Sequence, residues 1–125
     1  MNEAMRAQAV NLRSMASADA ANWLLEQYPR SNEGIVLLEH LSLRRSDTER
    51  LARAYLAGPT WTNGRPYRLF AQRLGLNGLV RLLDERKDRD GRDNELLRYH
   101  LEPIVRDCPS IEDQREAADF VASLK

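Results

Sequence analysis

The chain has 125 residues, 42% of them hydrophobic and 30% charged, with five prolines and six glycines; this is the length of one domain and the make-up of a folded protein, and it excludes a disordered or collagen-like chain. Nineteen basic residues balance nineteen acidic ones, and the balance holds locally, with eight against seven in residues 1–65 and eleven against twelve in residues 66–125. There is no basic arm for a phosphate backbone, which argues against nucleic acid as the partner.

Strand formers are scarce, with five Val, three Ile and three Thr against nineteen Leu, so the chain reads as all-α. Residues 2–16 predict a first helix with a stripe of Met5, Ala9, Leu12 and Met15, spaced by about a turn each. Ser17 is placed to cap a second helix carrying Ala20, Trp23, Leu24 and Tyr28, which Pro29 ends; nothing in "MASADA" forbids one long helix through both. Ser31 or Asn32 then caps residues 33–43, whose Ile35, Leu37, Leu38 and Leu41 share one broad face. In "SDTE", Ser46 and Glu49 have the spacing of a reciprocal capping box for a helix bearing Leu51, Ala52, Tyr55 and Leu56, and Gly58-Pro59 stops that helix.

Pro66 suits the first turn of the next helix, with Leu69, Phe70 and Leu74 inward and Gly75 available for the left-handed conformation that ends it. Asn77 is placed to cap residues 78–87, buried through Leu79, Leu82 and Leu83, and "DERKDRDGRDNE" reads as a solvated helix end and a turn at Gly91. Residues 93–107 predict a helix with Leu97, Leu101, Ile104 and Val105 as its stripe and Pro103 as a kink or break. Ser110 caps a last helix holding Ala117, Phe120, Val121 and Leu124. The expected architecture is a single domain over residues 1–125, a compact bundle of six or seven short helices packed as antiparallel pairs. No fixed repeat length is visible.

The chemistry-bearing motifs do not complete themselves. "FAQRLGLNGLVRLL" has the Ala71–Gly75 offset of a helix-turn-helix, but Arg81 stands where an apolar residue normally follows the turn, and "NGLV" offers few side chains that read base edges. "DRDGRDNE" aligned as a calcium loop puts Arg86 at the first ligand place and Leu97 at the bidentate carboxylate place. His40, His100 and Cys108 are too few for a structural zinc site, so no metal or other cofactor is expected. Cys108 lies about 12 Å along a helix from His100, too far for a nucleophile pair, and reads as a small buried hydrophobe near a helix end; His100 reads as a boundary residue with a wet polar edge. No phosphate-binding loop or tuned carboxylate pair emerges either, so no residue set supports an enzyme.

Residues 58–68, "GPTWTNGRPYR", hold the most distinctive chemistry. The connection is longer than chain closure demands, and its Trp61, Arg65, Tyr67 and Arg68 are the residue types that dominate binding hot spots. Trp61 has two possible fates, a lid over the core or an exposed anchor, and Tyr67 can instead belong to the inner face of the next helix, whereas Arg65 and Arg68 are expected at the surface.

Across its whole length the chain resembles, in general character, the small helical immunity proteins that bacteria keep in the cytoplasm against toxins delivered by neighbouring cells. Size, helical build and balanced charge carry this resemblance, no single motif does, and no residue is transferred by it. It implies a cytoplasmic protein whose partner is a toxin domain and which neutralises that toxin by occluding its active site. Asp84, Glu85, Asp88 and Asp90 are then the charged residues available to a basic toxin cleft. The cytoplasm also suits a lone cysteine and first fifteen residues without a continuous apolar run, and no window reaches the eighteen or so apolar residues of a membrane span. Two other readings stand beside this one: a helix-turn-helix regulator or antitoxin using residues 66–87 on DNA, and an adaptor whose apolar patch makes homo-oligomers.

Overall fold

Apolar stripes at helical spacing, interrupted by Pro, Gly and Ser, become seven helices in the computed structural model, which describes residues 2–85 and 93–124. They are α1 (Glu3–Arg13), α2 (Ser17–Gln27), α3 (Asn32–Glu39), α4 (Arg45–Leu56), α5 (Arg65–Asp84), α6 (Asn94–Arg106) and α7 (Ile111–Ser123), and there is no strand among the described residues. The fold class is all-α. The chain divides into two compact units, Met1–Tyr55 and Leu56–Lys125.

In the first unit the chain leaves helical geometry at residues 14–16, so α1 and α2 are separate helices. The Asn2 side chain caps α1 by accepting from the Met5 amide at 2.8 Å, and the Ser31 hydroxyl caps α3 by accepting from the Gly34 amide at 3.1 Å; each such cap is worth about 1 kcal/mol. Two expected caps have other roles. Ala16, without a side-chain hydrogen bond, precedes α2, because the Ser17 hydroxyl donates to Asp47 Oδ2 at 2.6 Å and accepts from the Arg44 amide at 2.8 Å. Helix α4 starts at Arg45, so Ser46 lies inside its first turn and Glu49 pairs with Arg45 at 3.3 Å rather than closing a capping box.

Of the expected core of this unit, Leu12, Leu24, Ile35, Leu37, Leu38 and Leu51 are buried, whereas Met5, Trp23 and Tyr28 are half-buried and Met15, beyond the end of α1, is exposed. At its centre Tyr55 is fully buried and its hydroxyl donates to the Tyr28 carbonyl at 2.5 Å. Burial pushes the Tyr55 phenol up to about 12. Gly34 is there because nothing larger fits: a Cβ would stand 2.2 Å from Tyr55 Oη and 3.2 Å from Tyr28 Cβ.

In the second unit α5 packs on α6 and α7, which also pack on each other. Gly58, at φ 80°, ends the turn after α4 as Gly-Pro predicts, and Pro66 lies in the first turn of α5. At Gly75 α5 is broken by φ 78° and ψ 159°, a glycine-only conformation more extended than the left-handed helical one. The helix resumes at once, so the interruption is one residue rather than the three or four that join the helices of a DNA-reading pair. Asn77 caps nothing; its Nδ2 donates to Asp113 Oδ1 at 2.7 Å and fastens α5 to α7. Pro103 sits inside α6 without ending it, and the Ser110 hydroxyl caps α7 by accepting from the Asp113 amide at 3.3 Å. Leu69, Phe70, Leu79, Leu97, Leu101 and Ala117 fill the interior of the unit.

Candidate functional site

The aromatic loop is organised by buried polar contacts. Trp61 is 6% exposed and Tyr67 fully buried. The Trp61 amide donates to Tyr67 Oη at 3.0 Å, and the Trp61 carbonyl lies 3.0 Å from His100 Nε2. A carbonyl can only accept, so Nε2 carries the imidazole proton. The Tyr67 and His100 rings stack at 5.7 Å, and the Thr60 amide donates to Asp93 Oδ2 at 2.9 Å. This corrects two expectations. The rings of Trp61 and Tyr67 serve the interior, one as a lid and one as an inner-face residue, so neither offers contact area to a partner. His100, expected to keep a wet edge, is buried at 9% exposure because its polar edge is satisfied by the loop backbone. Burial first, and the nearby Arg68 charge second, hold its pKa below the ordinary 6.5 against the raising effect of the Trp61 hydrogen bond.

Arg65 and Arg68 are exposed, as expected. Arg68 lies against Gly64, where a Cβ would stand 2.9 Å from its Nη1 and 3.4 Å from His100 Nδ1. From there an open groove of about 480 Å³ runs past the Gly75 break, lined on one side by Arg68, Ala71 and Leu76 and on the other by Pro103, Ile104 and Asp107. Cys108 borders this groove half-buried, with its thiol 3.8 Å from the Ser110 carbonyl, so it is less enclosed than a core hydrophobe.

A second groove, of about 490 Å³, lies between the end of α5 and the outer face of α7. Asp84, Glu116 and Asp119 surround it, Arg81 is the one cation lining it among the described residues, and half-buried Val80 and Phe120 form its apolar part. Along α7 itself four carboxylates, Glu112, Asp113, Glu116 and Asp119, stand against one cation, Arg115. The sequence suggested Asp84 and Glu85 for charge recognition, and both are exposed at this end of α5. Asp88 and Asp90 lie outside the described residues. Sequence reasoning placed Phe120 on the inner stripe of the last helix and did not join it to Glu116 and Asp119, because their meeting with Asp84 depends on α7 packing against α5; the available signal was the acidic spacing of 112, 116 and 119 on one helix face.

No group of three or more His, Cys, Asp or Glu side chains placed to hold a metal ion occurs among the described residues, and no helix among them is long and apolar enough to cross a membrane. No family model, no curated protein and no solved structure matches the chain.

Proposed function

We propose that the chain is a non-enzymatic protein-binding module, a cytoplasmic immunity protein whose α5–α7 face occludes the cationic active-site cleft of a toxin. One observation carries this reading: Asp84, Glu116 and Asp119, from helices remote in sequence, meet around the apolar pair Val80 and Phe120. A cleft that works on a polyanionic substrate must be positively charged. Carboxylates at helical spacing can take the place of phosphates there, while an apolar centre ringed by polar groups supplies desolvated contact area. The break at Gly75 is a single residue, shorter than the turn that joins the two helices of a DNA-reading pair, and this supports the protein-binding reading over DNA reading.

The test is to purify the chain with the product of the adjacent reading frame and titrate that product's toxic activity. A stoichiometric complex that abolishes activity is the expected result, and an inert mixture removes the immunity reading. Exposed ion pairs are worth about 0.5 kcal/mol each, so the combined variant Asp84→Asn, Glu116→Gln, Asp119→Asn weakens binding by roughly tenfold. Unchanged affinity in that variant moves the interface off this face.

A further inference from the structure

We propose that the groove beside Gly75 is a second recognition site, which takes an extended segment of a partner protein carrying a carboxylate, an apolar side chain and a cation at alternate positions. The proposal does not rest on the acidic α5–α7 face and survives the loss of the immunity reading.

The groove lining carries charges of both signs, Arg68 from α5 and Asp107 and Asp113 from the end of α6 and the start of α7. Arg68 marks one end, on the turn of α5 that faces Gly64 and His100. The Asn77–Asp113 hydrogen bond, next to Leu76, marks the other end along α5 with Asp113, and Asp107 belongs to the same lining. Between these ends Ala71, Leu76, Pro103 and Ile104 make an apolar floor. Arg106 Nε stands 3.6 Å from Asp107, but both side chains are about three-quarters exposed, so this pair yields readily to an incoming cation.

Spacing selects the occupant. From Arg68 to Gly75 the helix rises about 10 Å. A free amino acid holds its two charges only a few bond lengths apart and cannot reach both ends. In an extended chain, residues i, i+2 and i+4 point to one face and span about 13 Å, and long Glu and Lys side chains absorb the remaining difference. Acid, apolar residue and base at those three positions therefore meet Arg68, the floor and Asp107 together. Either chain direction satisfies the charges, so like-charged peptides rather than reversed ones are the informative controls.

The probe is the capped heptapeptide Thr-Glu-Thr-Leu-Thr-Lys-Thr, titrated into the isotope-labelled full chain and followed by amide chemical shifts. The expected result is a Kd of about 1 mM or tighter, with shifts gathered at residues 68–76 and 103–113. Replacing the central Leu by Ser, or making both charged positions Glu or both Lys, weakens binding roughly tenfold. Cys108, the chain's one cysteine, gives an independent readout: its reaction with an aromatic disulfide reagent slows as the peptide saturates the groove. Arg68 is exposed, so Arg68→Glu leaves the fold intact by circular dichroism, and it switches preference to the Lys/Lys peptide because both ends are then acidic. Absent shifts, shifts gathered instead at residues 80–84 and 116–120, an unprotected thiol, or an unswitched preference in Arg68→Glu would each overturn the proposal.

Discussion

Two glycines have single-atom reasons for being glycine, and the two reasons differ. Gly75 has nothing within 4 Å of where a Cβ would be, so space is not its constraint; its φ of 78° is. Gly75→Ala must either hold a backbone conformation that L-residues avoid or straighten the helix, at a cost of about 1–3 kcal/mol in urea unfolding; an equally stable variant would mean that the break is not fixed. Gly34 has an ordinary φ but no room, because the Tyr55 hydroxyl occupies the place of its missing Cβ and is itself held by the Tyr28 carbonyl. Gly34→Ala is expected to cost about 1–3 kcal/mol through overpacking, and Tyr55→Phe about 1–2 kcal/mol through the carbonyl left unpaired. Because both changes act on one oxygen atom, the pair is non-additive: Gly34→Ala costs less in the Tyr55→Phe background, and a double-mutant cycle with no coupling would refute the contact.

At the scale of helices, what the sequence made legible is what neighbouring residues decide. The Gly58-Pro59 stop, Pro66 in a first turn, and the Ser31 and Ser110 caps were readable because each acts on backbone within four residues. Ser17 and Asn77 had the same local credentials but bond partners 30 and 36 positions away, Asp47 and Asp113. Trp61 looked as suited to a partner as to the core until His100, 39 positions on, took its carbonyl. Two of these fastenings, at Asp47 and His100, have a pH signature. The Ser17 hydrogen bond first, with Arg50 at 3.2 Å also contributing, holds the Asp47 carboxyl below its ordinary 3.8 despite burial. A carboxylate favoured by the fold contributes its full stability above its unfolded pKa and loses it as pH falls from that value through the lower folded one. The stability gap between the parent chain and Ser17→Ala therefore narrows as unfolding is measured from pH 5 downward, and a constant gap would contradict the assignment. His100 is lowered because the fold disfavours its charged form, so its contribution is intact above 6.5 and declines as pH drops below it. In His100→Gln, which has no titrating ring, that part of the decline between about pH 7 and 5 is absent.

Over the whole molecule, zero net charge conceals an uneven placement that matters more for encounter than for folding. Nineteen charges of each sign cancel at a distance, yet Asp84, Glu116 and Asp119 surround one groove in which Arg81 is the single cation among the described residues. Within a Debye length of about 8 Å at physiological salt, an approaching protein senses that face rather than the total. Exposed carboxylates of this kind contribute mainly to the association rate, while the buried apolar contact at Val80 and Phe120 governs how long a complex lasts. The two contributions separate experimentally. Asp84→Asn, Glu116→Gln and Asp119→Asn together are expected to lower the association rate with a cationic partner about tenfold at low salt and to flatten its dependence on ionic strength, whereas Phe120→Ala raises the dissociation rate and leaves the salt slope as it was. Stopped-flow association measured over a salt series distinguishes them, and a salt slope equal in the parent and neutralised chains would show that this face does not steer the encounter.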